Sequence, residues 1–305
     1  MENIITGNTS FIEMSEKLKE IGIKNHDFML KTCKDYALSE LNRMDLLTYP
    51  VGNNVVYDEC KENIWFYLRE ILRLPYADTM SSFILNEANM AAIFCLENGK
   101  SVYLNSSRQT YKTVSMLCWI SYNLIFRPDE YGCVNIISPY KNTSRDLKEL
   151  LSKIILQAFS RLKVKTISQE YLDSIMKKVN AIEIKTQLDS ALKIPTEYSI
   201  NLVTDAEFLN QDYVRDLNGI TIYESVVGLD DILTNAIYTL DSAVSFRNII
   251  YDNLDNSVPN NLGKLIYIKK HFYELGFSTE WYNQMCKNLN YNEDVIKREI
   301  MLDRY

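Results

Sequence analysis

Glycine and proline are scarce in this chain of 305 residues, at 9 and 6. So few turn formers argue against a many-turned all-β fold and leave little room for Gly/Pro-rich linkers. Histidine is scarcer, with only His26 and His271. Their spacing supports neither a zinc site nor a Ser-His-Asp arrangement. The six cysteines (Cys33, Cys60, Cys95, Cys118, Cys133, Cys286) include no C-x-x-C pair. Most sit among apolar neighbours, as in Met116-Leu117-Cys118-Trp119, and read as reduced core thiols of a cytosolic-type protein. No apolar run approaches the ~18 residues that a membrane span needs. Met1-Glu2-Asn3-Ile4 lacks the basic-then-apolar pattern of a secretory signal. Long basic blocks are missing too. The densest basic run, Arg161-Leu162-Lys163-Val164-Lys165, alternates with apolar residues like the outer face of a strand. The net charge of −7 does not favour DNA or anionic membranes over the whole surface.

What is present is a chain with 47% hydrophobic and 11% aromatic residues, enough to bury a sizeable core in one large domain or two modest ones. Residues 1–98 read as mainly helical. Helix-spaced apolar positions run from Phe28 to Leu41 and from Tyr57 to Leu72, where Pro75 ends the second helix. A third helix covers Asn86 to Glu97, closed by Asn98-Gly99. Residues 99–270 alternate strands and helices: a strand at 101–104, a helix at 113–126, a strand at 133–137. A helix then starts at a capping-box-like Thr143 and Asp146. Further strand candidates are 181–184, 199–203, 219–223 and 247–251. The alternation predicts an α/β fold with a mostly parallel sheet flanked by helices. Residues 271–305 form a C-terminal helical segment.

One segment carries chemistry. Ser106 to Thr113 fits the pattern G-x-x-x-x-G-K-[ST] at Lys112 and Thr113, between a short buried strand and the start of a helix. A lysine there reaches the β- and γ-phosphates, and the hydroxyl ligates Mg²⁺. Tyr111 stands where the second glycine belongs, the residue that lets backbone N–H groups approach phosphate at φ > 0. A second strand ending in an acid is also required. Gly219-Ile220-Thr221-Ile222-Tyr223-Glu224 offers a glutamate to position the attacking water. Ile200 to Val203, followed by Thr204-Asp205-Ala206-Glu207, competes with two carboxylates one residue apart. On these residues alone, an unrelated α/β protein with a chance R-Q-x-x-K-T remains an alternative.

Several segments together resemble the large terminase subunit of tailed phages, the motor that pumps DNA into procapsids. Glu59-Cys60-Lys61-Glu62-Asn63-Ile64-Trp65-Phe66-Tyr67-Leu68-Arg69-Glu70 looks like the family's E-C-x-x-N-x-W-[FY]-x-x-R-E segment. Phe83 to Ala91 is similar to the stretch before the P-loop strand. Ser107-Arg108-Gln109-Thr110-Tyr111-Lys112-Thr113 matches S-R-Q-x-G-K-[ST] except at Tyr111. Tyr273-Glu274-Leu275-Gly276, Trp281 and Lys297-Arg298-Glu299-Ile300 are similar to the segment joining motor to nuclease.

The resemblance implies an additional-strand P-loop ATPase fold, with 1–98 as a helical N-terminal region or lid, 99–270 as the ATPase-like core, and no nuclease domain after 271–305. It implies ATP and Mg²⁺ as cofactors. Gln109, Lys112 and Thr113 would bind nucleotide, Thr113 the metal. Arg108 would sense the γ-phosphate, and Glu224 would be the catalytic glutamate. Double-stranded DNA, portal or procapsid and other terminase chains are the implied partners, a homo-oligomer the implied assembly, and the infected host's cytoplasm the implied location, with no membrane. Three positions depart from the pattern: Tyr111, Tyr223 at the Mg²⁺ aspartate, and a weak Ser257-Val258-Pro259-Asn260 for the T-T-P-N coupling motif. Impaired hydrolysis in a viral DNA-packaging protein is therefore expected, the alternative being a catalytically inactive terminase-like interaction or structural protein.

Overall fold

The computed structural model describes residues 7–33, 54–76, 79–131, 133–162, 168–186, 199–209, 217–226 and 265–302. They belong to two compact units that interleave along the chain: 1–85, 117–132 and 146–182 in one, and 86–116, 133–145 and 183–305 in the other.

In the first unit, helix α1 (Thr9–Glu20) buries Phe11, Met14 and Leu18 on one stripe, the spacing of an amphipathic helix. Helix α2 (Asn54–Glu62) stops at Asn63. The Asn63 side chain accepts from Phe66 N at 3.2 Å and so caps a new turn, Ile64–Phe66, that widens into a π-helix over Tyr67–Ile71. The single helix expected over 57–72 is thus two helical pieces. The reason is that an asparagine oxygen captures an N–H that helix continuation would have used.

Pro75 ends no helix. It lies in β1 (Arg73–Tyr76), which pairs antiparallel with β2 (Thr79–Ser82) in a two-stranded ribbon. Only edge strands exist there, and these tolerate a residue without an N–H. The helix expected from Phe28 is absent over the described part, where Phe28 N and Leu30 N close turns on Asn25 O and Asp27 O; residues 34–41 lie outside the described residues.

The π-helix carries buried polar side chains. Arg69 pairs with Glu70 at 3.0 Å, and both are nearly fully buried. Glu59 Oε1 accepts from Cys33 N and Asn63 Nδ2, each at 2.7 Å. Tyr67 and Tyr122 pack as rings 5.7 Å apart, and the Tyr67 hydroxyl shares a hydrogen bond with Ser121 Oγ.

The second unit is built on a six-stranded, all-parallel sheet. Its strands are β3 (Ser101–Ser106), β4 (Cys133–Ile137), β5 (Glu183–Lys185), β6 (Ser199–Val203), β7 (Ile220–Ser225) and β8 (Leu265–Lys270). They lie in the order β5-β4-β6-β7-β3-β8. Runs such as Ile200-Asn201-Leu202-Val203 are buried on both faces, as parallel strands are. Helix α3 (Glu87–Glu97) begins at a reciprocal cap between Asn86 and Asn89 and packs on β3 and β8. Gly219, at φ +89°, closes against β6: a Cβ there would lie 2.2 Å from Ser199 O.

Helix α4 (Lys112–Phe126) follows β3, and α5 (Lys141–Leu162) follows β4. Helix α5 starts two residues before the expected Thr143, which with Asp146 lies inside the helix. The first unit also contains α6 (Gln169–Asn180), capped by Ser168. Strand β8 has no counterpart in the sequence reading, and the 247–251 candidate lies outside the described residues, as does Ser257 to Asn260. Helices α7 (Thr279–Asn288) and α8 (Glu293–Glu299) close the second unit around Phe272, Met285, Cys286, Ile296 and Ile300.

Candidate functional site

The site candidates gather where β3, β6 and β7 end, the edge of a parallel sheet at which α/β folds place ligands. After β3 the chain runs through Ser107 to Tyr111 and enters α4 at Lys112. Gln109 and Tyr111 both have left-handed backbones, at φ 60° and 65°. Tyr111 therefore adopts the conformation for which the motif uses glycine, despite the steric penalty of its Cβ. The loop is held from within. Thr110 Oγ1 donates to Ser107 O at 2.7 Å and shares a 3.0 Å hydrogen bond with Ser106 Oγ. Asn86 Nδ2 donates to Thr110 O at 3.1 Å, tying the start of α3 to the loop.

Lys112 turns back into this curl and donates to Ser106 O at 2.8 Å. Burial lowers its ammonium pKa, while Glu224, Glu207 and Asp205 act in the opposite sense. Thr113 Oγ1 donates to Glu224 Oε2 at 2.6 Å. Glu224 is buried, and desolvation raises its pKa to about 7; the Thr113 hydrogen bond and the Lys112 charge only partly offset this. Glu207 behaves alike. Its carboxyl is raised to about 7 by burial, although Oε1 accepts from Val226 N at 3.2 Å and Lys112 counteracts.

The two acidic segments that competed in the sequence are thus neighbours. Strand β7 lies between β3 and β6, and Val203 faces Tyr223 in register. The chain leaves β6 through a left-handed Asp205 into a short 3₁₀ turn carrying Glu207. No local pattern announces this arrangement, because only strand order creates it.

Tyr223 points elsewhere. Strand alternation sends it to the face opposite Glu224. There it packs with Tyr103 (ring centroids 6.1 Å apart), Val203 and Ile137 in an apolar cluster that also holds Tyr267. A side chain at position 223 is consequently a core residue.

Arg108 is engaged by the C-terminal helices. Its side chain is half exposed, and Nε lies 2.7 Å from Glu299 Oε2 at the end of α8. Its amide N–H donates to Glu299 O at 2.8 Å. Ser107 Oγ donates to Ile300 O at 2.6 Å and accepts from Phe272 N at 3.1 Å. The Tyr111 ring stacks on Phe277 at 6.1 Å, with 24° between planes. Gln109 is exposed. The sequence reading gave Glu299 and Phe277 no role at the loop. Their separation from it, well over a hundred positions, leaves no local signal.

The residues present fit a phosphate–Mg²⁺ group in part. Glu224 Oε1 and Glu207 Oε2 are buried without a hydrogen-bond partner among the described residues, and buried orphan oxygens of this kind ask for a cation or water. A lysine and a threonine hydroxyl stand beside them. Among the described residues no cluster of three His, Cys, Asp or Glu side chains is disposed to hold a metal unaided, so bound phosphate would have to complete the coordination. No helix among them is long and apolar enough to cross a membrane.

No protein-family model matches the chain, and no curated protein matches it. Among solved structures, the large terminase ATPase domain of Thermus phage P74-26 is similar at 11% identity and TM-score 0.44, covering 73% of this chain and 95% of that one. A mutant form of that domain is similar at 12% identity and TM-score 0.46, with the same coverage. The HK97 bacteriophage large terminase is similar at 8% identity and TM-score 0.48, covering 80% of this chain; the match spans 55% of that chain's length.

Proposed function

We propose that this chain is a terminase-like ATPase-fold protein of viral DNA packaging that binds ATP–Mg²⁺ at residues 106–113 and hydrolyses it poorly. The supporting observation is the loop itself. Tyr111 keeps a glycine-type backbone, Lys112 is curled inside, and Thr113 meets a buried carboxylate at 2.6 Å. In this reading Lys112 and Gln109 hold the phosphates, and Thr113 with Glu224 and Glu207 faces the metal. Arg108 senses the terminal phosphate once it leaves Glu299. Bound Mg²⁺ would supply charge neutralisation of the phosphate oxygens.

Weak hydrolysis is read from two positions. Tyr111 keeps a Cβ where a glycine would let the backbone approach phosphate, and Tyr223, packed in the apolar cluster, supplies no carboxylate for the metal. Double-stranded DNA and other packaging chains are the partners of this reading, in a homo-oligomer or with a separate motor, inside the infected host cell. DNA would require a localised basic surface and would bind with steep salt dependence.

The experiment is calorimetric titration with ATP–Mg²⁺. Binding is expected, weakened by about tenfold or more in Lys112→Ala, which corresponds to about 1.4 kcal/mol. No heat at high nucleotide concentration defeats the reading. The second reading, a catalytically inactive terminase-like interaction protein, is favoured by the hydrogen bonds that already occupy Ser107 and Arg108. ATP turnover that disappears in Glu224→Gln would eliminate it.

A further inference from the structure

We propose that residues 272–302 form a latch on the loop, clasped by the Arg108–Glu299 pair, and that its release opens the loop to an anionic ligand. This rests on the nucleotide reading of the loop. The attachments come from both ends of the segment. Its start supplies Phe272 N to Ser107 Oγ and the Phe277 ring to Tyr111; its end supplies Glu299 O to Arg108 N, Ile300 O to Ser107 Oγ, and the Glu299 carboxylate to Arg108 Nε. Lys269 Nζ adds a 3.2 Å bond to Leu302 O from the end of β8.

Between those ends the segment has its own core of Phe272, Met285, Cys286, Ile296 and Ile300. It is therefore built to move as one body rather than to fray residue by residue. The groups it engages are those an anion would use. The Arg108 amide is a backbone donor of the loop, and such donors cradle phosphates when they are free. The Arg108 guanidinium is the loop's exposed cation, and here it meets a carboxylate that is nearly buried. Arg298 Nη2 also reaches Glu299 Oε1 at 2.8 Å, so the carboxylate keeps a partner when Arg108 leaves. A half-exposed ion pair contributes little stability, so a ligand with several negative charges can compete for it.

The test uses the full chain with Glu299→Gln, an isosteric change, and Ser107→Ala as a second release. Backbone hydrogen exchange is followed at 106–111, at 272–302, and at α1 as a control in the other unit. ATP–Mg²⁺ affinity is measured alongside. Both variants are expected to raise exchange at 106–111 and 272–302 together while α1 is unchanged. Glu299→Gln is expected to tighten ATP about 2- to 5-fold, the scale of one exposed ion pair. Exchange that rises in one segment without the other overturns the latch. So does measurable ATP binding that Glu299→Gln leaves unchanged. Concerted exchange with no ATP binding in any form upholds the latch and removes the nucleotide reading, so the two can fail separately.

Discussion

Thr113 Oγ1 donates to Glu224 Oε2 at 2.6 Å across the ends of α4 and β7, joining residues 111 positions apart. The bond matters because Glu224 is buried and its other oxygen lacks a hydrogen-bond partner among the described residues. It links the helix start that the phosphate-loop pattern announces to an acid that only the sheet brings near.

Glu224 makes stability depend on pH. Its folded pKa of about 7 lies above the ordinary 4.5, so the folded state binds the proton more tightly than the unfolded chain. Stability is then greatest below about pH 4.5, falls as pH rises through 7, and is flat above. Glu224→Gln should remove up to about 3 kcal/mol of this fall, leaving the similar contribution of Glu207. Urea unfolding of both proteins at pH 5 and pH 8 checks it. An equal pH dependence would mean the carboxyl is not held as described.

Tyr111→Gly exchanges two effects of similar size. Relief of a left-handed backbone is worth about 1–2 kcal/mol. Loss of the stack on Phe277 costs about 0.5–1.5 kcal/mol, and the freer unfolded chain adds to that cost. Thermal stability should therefore change little, while ATP affinity should rise as the backbone becomes approachable. Unchanged or weaker titration would show that Tyr111 does not obstruct the loop.

Gly219→Ala should be among the most damaging single substitutions. The new Cβ would meet Ser199 O at 2.2 Å at φ +89°, so both contact and backbone oppose it. A loss of about 3 kcal/mol or more is expected. A chemical-denaturation midpoint near that of the parent would contradict the approach of the β7 entry to β6.

The Arg69–Glu70 pair in the π-helix offers a sharper comparison. Glu70→Ala leaves Arg69 buried without its ion-pair partner and should cost about 3–5 kcal/mol, whereas Arg69→Met with Glu70→Gln should cost much less. Denaturation of the single and double variants reads this directly. Equal losses would place the stability in packing rather than charge.

Local pattern determined much of this protein. Strands at 133–137 and 199–203, the helix from Asn86 and its Asn98-Gly99 stop, and the tail helices follow from apolar runs and caps, which act over a few residues. The helix expected over 57–72 breaks because Asn63 caps a new turn rather than continuing the first: its side-chain oxygen accepts from Phe66 N while its Nδ2 donates to Glu59.

Lys112 and Thr113 at the head of α4, and an acid at the end of a strand, belong to the sequence by itself, since residue spacing fixes them. That Glu224 rather than Tyr223 faces Thr113 follows from the strand's two-residue alternation, once its pairing with β3 sets which face is which. Only the tertiary structure decided the rest. It set β6 beside β7, so that Asp205 and Glu207 share the site with Glu224. It also drew Glu299 and Phe277 onto Arg108 and Tyr111. Those relations join residues far apart in the chain, and their energies come from contacts that exist only after the sheet and the C-terminal helices have closed.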